Sequence, residues 1–160
     1  MTSLPQSFKI VDLLKPATDA AGRTSTVWVS LKNSHRAWLL FHIAQGNAAT
    51  CLLTPLQASA VAGTGSKALT NSCPVWANLD TATSDALAAV AAAKNYTTDA
   101  GVANKLICFE ISPALHMDIA NGFDCIGCST GASDIANLTS AIVLLEERFP
   151  GTLPPTSIAD

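Results

Sequence analysis

The sequence predicts a mainly β protein, an antiparallel β-sandwich or jelly-roll-like single domain with at most one short helix. Apolar and polar residues alternate along several runs, as on strands with one buried face. Asn, Gly and Pro recur between those runs, where turns need them. The length of 160 residues suits one domain with a substantial core rather than two.

Two runs, residues 106–111 and 123–130, are predicted to lie at the centre of the sheet core. The first is short, apolar and rich in β-branched and aromatic residues, which is typical of a strand buried on both faces. The connector contains Pro113 and the turn-forming pair Asn121-Gly122. The second run alternates, with Phe123, Cys125 and Gly127 on one face and Asp124, Ile126 and Cys128 on the other.

Three earlier runs, residues 24–31, 36–45 and 50–56, follow one another with turn residues between them. The economical arrangement is a three-stranded antiparallel meander. In the second of these runs Leu39, Phe41 and Ile43 share one face, and Trp38, Leu40 and His42 share the other. Residues 74–79 form a further predicted strand.

Two segments have competing periodicities. Residues 85–93 are alanine-rich and follow Ser84, so helix propensity favours a capped helix, although a β-rich neighbourhood can override it. Residues 138–149 fit helical and strand spacing about equally, and the β-rich context favours a strand.

The predicted domain organisation has three parts: residues 1–22 as an N-terminal arm, 23–150 as the β-sandwich domain, and 151–160 as a Pro-rich tail. The arm has an apolar anchor, so it either docks on a neighbouring subunit or forms an edge strand or short helix on its own domain. We expect at least one terminus to dock on an adjacent subunit or partner.

The composition predicts self-association. Apolar residues make up 49% of the chain and charged residues only 13%, about half the usual charged fraction of globular proteins. A monomer with this balance exposes more apolar surface than solubility favours. The scattered Lys and Arg residues predict no nucleic-acid partner. Neither a signal peptide nor a membrane-spanning run is recognisable, which favours synthesis in the cytoplasm.

The five cysteines include Cys125 and Cys128, whose CxxC spacing also occurs in zinc and redox sites. In a strand, residues three apart point to opposite faces, so the two sulfurs are expected to diverge. The odd number and uneven spacing favour reduced, buried thiols. Zinc and redox pairing stay as minor alternatives.

The remaining polar motifs have simple structural explanations. His42, inside an apolar strand, is either a hydrogen-bonded core or interface residue or, less favourably, a general base or ligand. The glycine-rich run Gly63-Thr-Gly-Ser-Lys67 lacks phosphate-loop spacing and is predicted to be a plain loop. His35, beside a turn, is expected to be solvated.

Carboxylates are few. Asp118 and Asp124 flank a turn, so turn chemistry ranks above cation binding. The run Glu146-Glu147-Arg148 is predicted to be a solvated or interface charge cluster. We therefore predict no catalytic, cofactor-binding or metal-binding residues and no enzymatic activity.

Several segments resemble small virion proteins of tailed bacteriophages, among them capsid decoration or cement proteins. The resemblance covers about residues 8–150 and is carried by the segments VSLKNSHRAWLLFHIAQGNAATCLLTPLQA, VWANLDTATSD, FEISPALHMDIANGFDCIGCSTGAS and SAIVLLEERF. It implies a β-sandwich that oligomerises, with a trimer as one candidate, and binds the major capsid protein on the capsid surface. A head–tail neck or tail component is the alternative, and a small enzyme or ligand-binding sandwich using a pocket near His42 is a third.

Overall fold

The computed structural model describes residues 3–149 and 155–159. Two antiparallel sheets pack face to face in a single domain, which confirms the predicted fold class. The strands are β1 (Phe8–Thr18), β2 (Arg23–Thr24), β3 (Val29–Ser30), β4 (Ser34–Gln45), β5 (Leu52–Ala58), β6 (Lys67–Ala68), β7 (Cys73–Asn78), β8 (Ala88–Ala93), β9 (Tyr96–Thr97), β10 (Asn104–Ile111), β11 (Cys125–Thr130) and β12 (Asn137–Glu147).

The two sheets differ in regularity. Sheet A has the order β1-β12-β4-β10-β7-β8, and its central strands are long. Sheet B has the order β2-β11-β5-β6, with β3 also pairing with β11 and β9 with β5. Four of the strands in sheet B are only two residues long, so its edges are short.

The core lies between the inward faces of the two sheets. Strand β4 contributes Leu39, Phe41 and Ile43, which are fully buried as their alternation predicts. The ring of Phe41 meets that of Phe109 edge-on, with 5.9 Å between centroids. From sheet B, Ile126 is part of the same buried cluster. Strand alternation therefore identifies the buried face correctly.

The predicted meander is wrong. Residues 24–31 form two short strands, β2 and β3, in sheet B, β4 lies in sheet A, and β5 returns to sheet B. Strands β10 and β11, predicted as a central pair, also lie in opposite sheets, between β4 and β7 and beside β5 respectively. Alternation specifies which face of a strand is buried but not which strand is its neighbour. The order of these strands along the chain therefore does not predict their order in the sheets.

Of the two alternatives for residues 85–93, the structure has the strand rather than the helix that propensity favours: Ala88–Ala93 forms β8, paired with β7. Pairing with β7 outweighs the helix propensity of alanine, which is a weak preference. The described residues include two four-residue α-helices, α1 (Leu4–Ser7) and α2 (Pro113–His116), rather than at most one. Strand β12 confirms the strand interpretation of residues 138–149 as far as Glu147.

The N-terminal segment belongs to the sandwich. Strand β1 pairs with β12 from Phe8 to Thr18 and forms one edge of sheet A, which is the edge-strand alternative for residues 1–22. Of the predicted tail, residues 151–154 and 160 lie outside the described residues. The Ser157 carbonyl accepts a hydrogen bond from the Ser30 amide at 2.7 Å, and its hydroxyl accepts one from Lys9 Nζ at 3.0 Å.

A buried carboxylate lies beneath this contact. Neither carboxylate oxygen of Glu147 accepts a hydrogen bond within the described residues, and its side chain is almost fully buried. Lys9 Nζ lies 3.7 Å away, too far for a hydrogen bond, and acts through its charge. Burial raises the pKa of Glu147, and the Lys9 ammonium only partly opposes this effect.

Replacing Glu147 by glutamine is expected to raise the free energy of unfolding at neutral pH and to lose that advantage in acid. Because the pKa of Glu147 is higher in the folded than in the unfolded protein, ionisation destabilises the fold progressively as pH rises through the folded pKa. Below the unfolded pKa the wild-type side chain is neutral in both states and the two proteins should agree. Urea unfolding between about pH 4 and pH 8 measures this.

Glu146→Gln is the matched control, because Glu146 is the neighbouring residue and is only partly buried. Its difference from wild type should change little with pH. A stability difference for Glu147→Gln that stays constant across the pH range would contradict the assignment of a destabilising buried charge.

Candidate interaction surface

The outer face of sheet A carries an apolar row that crosses five strands. Ile142 lies opposite Leu40, Leu40 opposite Cys108, Cys108 opposite Trp76, and Trp76 opposite Ala89. Directly opposite residues in antiparallel strands share a face, so these five side chains form one continuous line. Ile142 and Trp76 are 39% and 37% exposed. We call these five residues the central row.

A second apolar row runs parallel to the first at the β1 side of the sheet. Ile10 lies opposite Leu144, and Leu144 lies opposite Trp38. The ring of Phe8 packs edge-on against Trp38, with 5.8 Å between centroids, which fixes the indole on this face. Ile10 is 52% exposed. Together the two rows form what we call the apolar face.

Charged groups border the apolar face. Arg36 Nη1 donates to Glu110 Oε1 at 2.9 Å across β4 and β10. An exposed ion pair of this kind contributes little to stability, but it can orient a partner. Glu146 lies opposite Arg36 on the next strand, so charge is concentrated at this end of the face.

The size of sheet A is adequate for a stable interface. Six strands about 4.8 Å apart, each contributing about 25 Å of length, present on the order of 700 Å². A standard protein–protein interface buries about 800 Å² from each partner. The sequence pattern that indicates this surface is the presence of apolar residues on both faces of β4. The outward residues of this strand include Trp38 and Leu40.

The histidines have separate positions. His42 is exposed on the outer face of sheet A, between Leu106 and Ser140 of the neighbouring strands, and is not a core residue. His35 is exposed, as expected. His116 Nδ1 accepts a hydrogen bond from the Ser112 amide at 2.9 Å, and burial lowers the pKa of His116.

The CxxC pair lies in strand β11, and its sulfurs diverge as predicted. Cys128 packs in the core between the sheets, whereas Cys125 packs with Trp28 and Ala58 on the outer side of sheet B. All five cysteines are buried and none forms a disulfide. Burial raises the pKa of Cys128 to about 12, so the thiol is protonated at neutral pH.

The glycine-rich loop has a packing role. A Cβ atom at Gly63 would lie 2.4 Å from Trp28 Nε1, so the backbone here lies directly on the indole. Lys67 at the end of the run forms an ion pair with Asp118 at 2.7 Å, and its Nζ lies 3.8 Å from the Phe123 ring centre. The Lys67 ammonium and a bond from Asn121 lower the pKa of Asp118.

The remaining carboxylates are dispersed. Asp124 lies 3.7 Å from Lys32 and Asp118 pairs with Lys67, so each aspartate has its own cation. Among the described residues, no group of three or more His, Cys, Asp or Glu side chains is placed to hold a metal ion. The prediction for residues 146–148 is wrong at Glu147, which the strand pleat turns into the buried face.

Comparison with family models, with characterised proteins and with solved structures finds no match to this chain. No helix in the described part of the chain is long and apolar enough to span a membrane. The class that fold and surface define is an antiparallel β-sandwich with one apolar, partly exposed sheet face.

Proposed function

We propose that the chain is a virion structural protein that decorates the capsid of a tailed bacteriophage and stabilises it. The proposed partners are the major capsid protein and further copies of the chain itself. The observation that carries the proposal is the apolar face of sheet A, and the resemblance of several segments to phage virion proteins supplies the class of partner. In this proposal the chain has no catalytic activity, requires no cofactor and binds neither nucleic acid nor membrane.

The mechanism is the removal of apolar surface from water at sites repeated over the shell. At about 25 cal/mol per Å² of apolar surface, a few hundred Å² contributes several kcal/mol per subunit before the cost of association. The central row supplies part of this area, chiefly at Ile142 and Trp76, which are 39% and 37% exposed. Many weak copies acting on one lattice together oppose expansion of the shell by packaged DNA.

The charged end of the apolar face supplies orientation. Arg36, Glu110 and Glu146 lie on neighbouring strands at one end of the two rows. A partner that is complementary to this arrangement binds in one direction along the strands, because reversal places like charges together. The two apolar rows thus supply the area that a partner buries, and the charged end sets the direction in which it binds.

Replacing Ile142 by lysine is expected to weaken binding to capsids assembled without the protein by about tenfold or more. The substitution places a charge in the central row, where a bound partner excludes water. Leu52→Lys is the matched control, since Leu52 is also 39% exposed but belongs to sheet B. Co-sedimentation with shells measures binding, and circular dichroism verifies that both variants fold.

Equal binding by Ile142→Lys and wild type would exclude the apolar face as the capsid-binding surface. Quantitative mass spectrometry of purified particles tests the wider proposal. Hundreds of copies per particle support decoration, whereas about six or twelve copies, numbers that match ring symmetries, indicate a neck or tail component instead. Absence from the particle would overturn the proposal as a whole.

A further inference from the structure

The two edges of sheet A differ in how they are protected. Strand β1, at one edge, carries the devices that discourage strand addition, namely charged side chains, a proline and irregular pairing. Its pairing with β12 shifts register twice, between Asp12 and Leu14 and between Leu14 and Ala17. The charged residues and proline of this strand are Lys9, Asp12, Lys15 and Pro16. This edge is therefore blocked against another strand.

Strand β8, at the opposite edge, lacks these devices. It reads Ala-Ala-Val-Ala-Ala-Ala, without charge or proline, and most of its side chains are exposed. It pairs with β7 on one side, and no other strand among the described residues covers its second side. Each strand edge presents backbone donors and acceptors that favour pairing with another strand.

We propose that β8 pairs antiparallel with β8 of a second copy of the chain about a two-fold axis. The charges at its ends support a second copy as the occupant. Asp85 precedes the strand and Lys94 follows it directly. Antiparallel pairing brings the acidic end of one copy to the basic end of the other at both ends, whereas parallel pairing sets like charges together. This assignment deepens the self-association part of the proposed function.

The small side chains of β8 suit this contact. Alanines on both faces leave the backbone accessible. Two copies can therefore approach to about 4.8 Å, the distance between neighbouring strands in a sheet. Pairing of β8 with β1 of another copy is disfavoured by the irregular, charged edge of β1. It would also produce an open chain of subunits, whereas two-fold pairing closes at a dimer.

The dimer has a consequence for the apolar face. An axis that relates two antiparallel neighbours in one sheet is perpendicular to that sheet, so both outer faces point to the same side. The six strands of sheet A in each copy then form one continuous sheet. Ala89 ends the central row at β8, so the rows of both copies meet at the axis. A dimer therefore presents twice the area to a shell.

The double variant Ala89→Lys/Ala91→Lys tests the pairing. Lysines directly opposite one another across the new strand pair repel, and both alanines are exposed in a single copy, so the fold should persist. We expect wild type to have twice the mass of 16.5 kDa at micromolar concentration, and the variant to dissociate about 100-fold more readily. Ala17→Lys, at an exposed alanine of the β1 edge, should leave the dimer intact.

Cysteine cross-linking gives an independent readout. Because all five native cysteines are buried and Val90 packs towards the core, cysteines introduced at position 89, at position 91, or at both provide accessible thiols. One of these three variants should form a disulfide-linked dimer fastest under mild oxidation, since a residue on the two-fold axis faces its own copy and positions 89 and 91 face each other when the axis passes through position 90. Ala17→Cys is the control and should cross-link slowly.

Three results would overturn the inference: a monomeric or trimeric wild type, an Ala89→Lys/Ala91→Lys variant that keeps the dimer mass, or cross-linking at position 17 as fast as at β8. These outcomes concern the purified protein alone. A dimer that does not bind capsids would overturn the proposed function but not the pairing of β8. A monomer that still binds shells would overturn the pairing but not the proposed function.

Discussion

Replacing Asp19 by alanine is expected to lower the free energy of unfolding by about 3–5 kcal/mol, the cost of breaking a buried ion pair from one side. The Asp19 carboxylate is completely buried. It accepts hydrogen bonds from Arg23 Nε at 3.0 Å and Thr130 Oγ1 at 2.7 Å, and the Cys51 thiol lies 3.4 Å away. These partners come from different parts of the sandwich.

The expected loss of stability is large because the Asp19→Ala substitution leaves the partners of this carboxylate without their acceptor. The Arg23 side chain is only 21% exposed, so its charge loses its counterion in a poorly hydrated place. Thr130 lies in β11 and Arg23 in β2, so the carboxylate joins the β1–β2 connection to the middle of sheet B. Burial, together with this carboxylate, raises the pKa of Cys51 to about 12. Removal of the Asp19 carboxylate would open a cavity in this polar network rather than in the apolar core.

Urea unfolding at pH 7 measures the loss, and Asp12→Ala is the control because Asp12 is an exposed aspartate on β1, the strand that leads to Asp19. The control should change stability by no more than about 0.5 kcal/mol. A loss below about 1 kcal/mol for Asp19→Ala would show that the network is dispensable and that this end of the sandwich is held by its backbone pairing alone.

Gly63→Ala is expected to destabilise the protein by about 1–3 kcal/mol more than Gly122→Ala. The two glycines have almost the same φ, +76° and +80°. An alanine at either position therefore carries a similar left-handed strain of about 1–2 kcal/mol. The positions differ in surroundings: the added Cβ meets Trp28 Nε1 at 2.4 Å at Gly63, and nothing within 4 Å at Gly122.

Trp28 cannot easily give way. Its side chain is 6% exposed and packs with Ala58 and Cys125. The backbone at Gly127 is also close to the ring, since a Cβ there would lie 2.6 Å from Trp28 Cε3. Two backbone segments thus closely approach the indole. Thermal unfolding and tryptophan fluorescence of both variants measure the difference. Equal destabilisation of the two would mean that Trp28 moves freely and that conformational strain accounts for both losses.

The sequence predicted the buried faces of the strands more reliably than their arrangement. In β4 the alternation separated Leu39, Phe41 and Ile43 from Trp38, Leu40 and His42, and the structure has the first group in the core. The divergence of Cys125 and Cys128 was predictable for the same reason, since a period of two is a property of one strand. Neighbouring strands were not predictable, because pairing depends on contacts between residues distant in the chain.

The candidate surface was only partly predictable. Low charge content and apolar residues on both faces of β4 indicated an uncovered apolar area. The continuity of the central row depends on four strand registers that no local pattern specifies. Strand β8 shows most clearly what a local sequence pattern does not predict. Its alanines favour a helix in isolation, and pairing with β7 converts them to the unprotected edge of sheet A.

Local side-chain order and composition thus determined that this protein is a β-sandwich with few charged residues, because alternation and charge content are properties of the chain itself. The tertiary structure alone decided where the apolar face lies, which edge is open, and that Asp19 and Glu147 are buried. Those features arise from long-range pairing, since the desolvation of a charge depends on what packs over it.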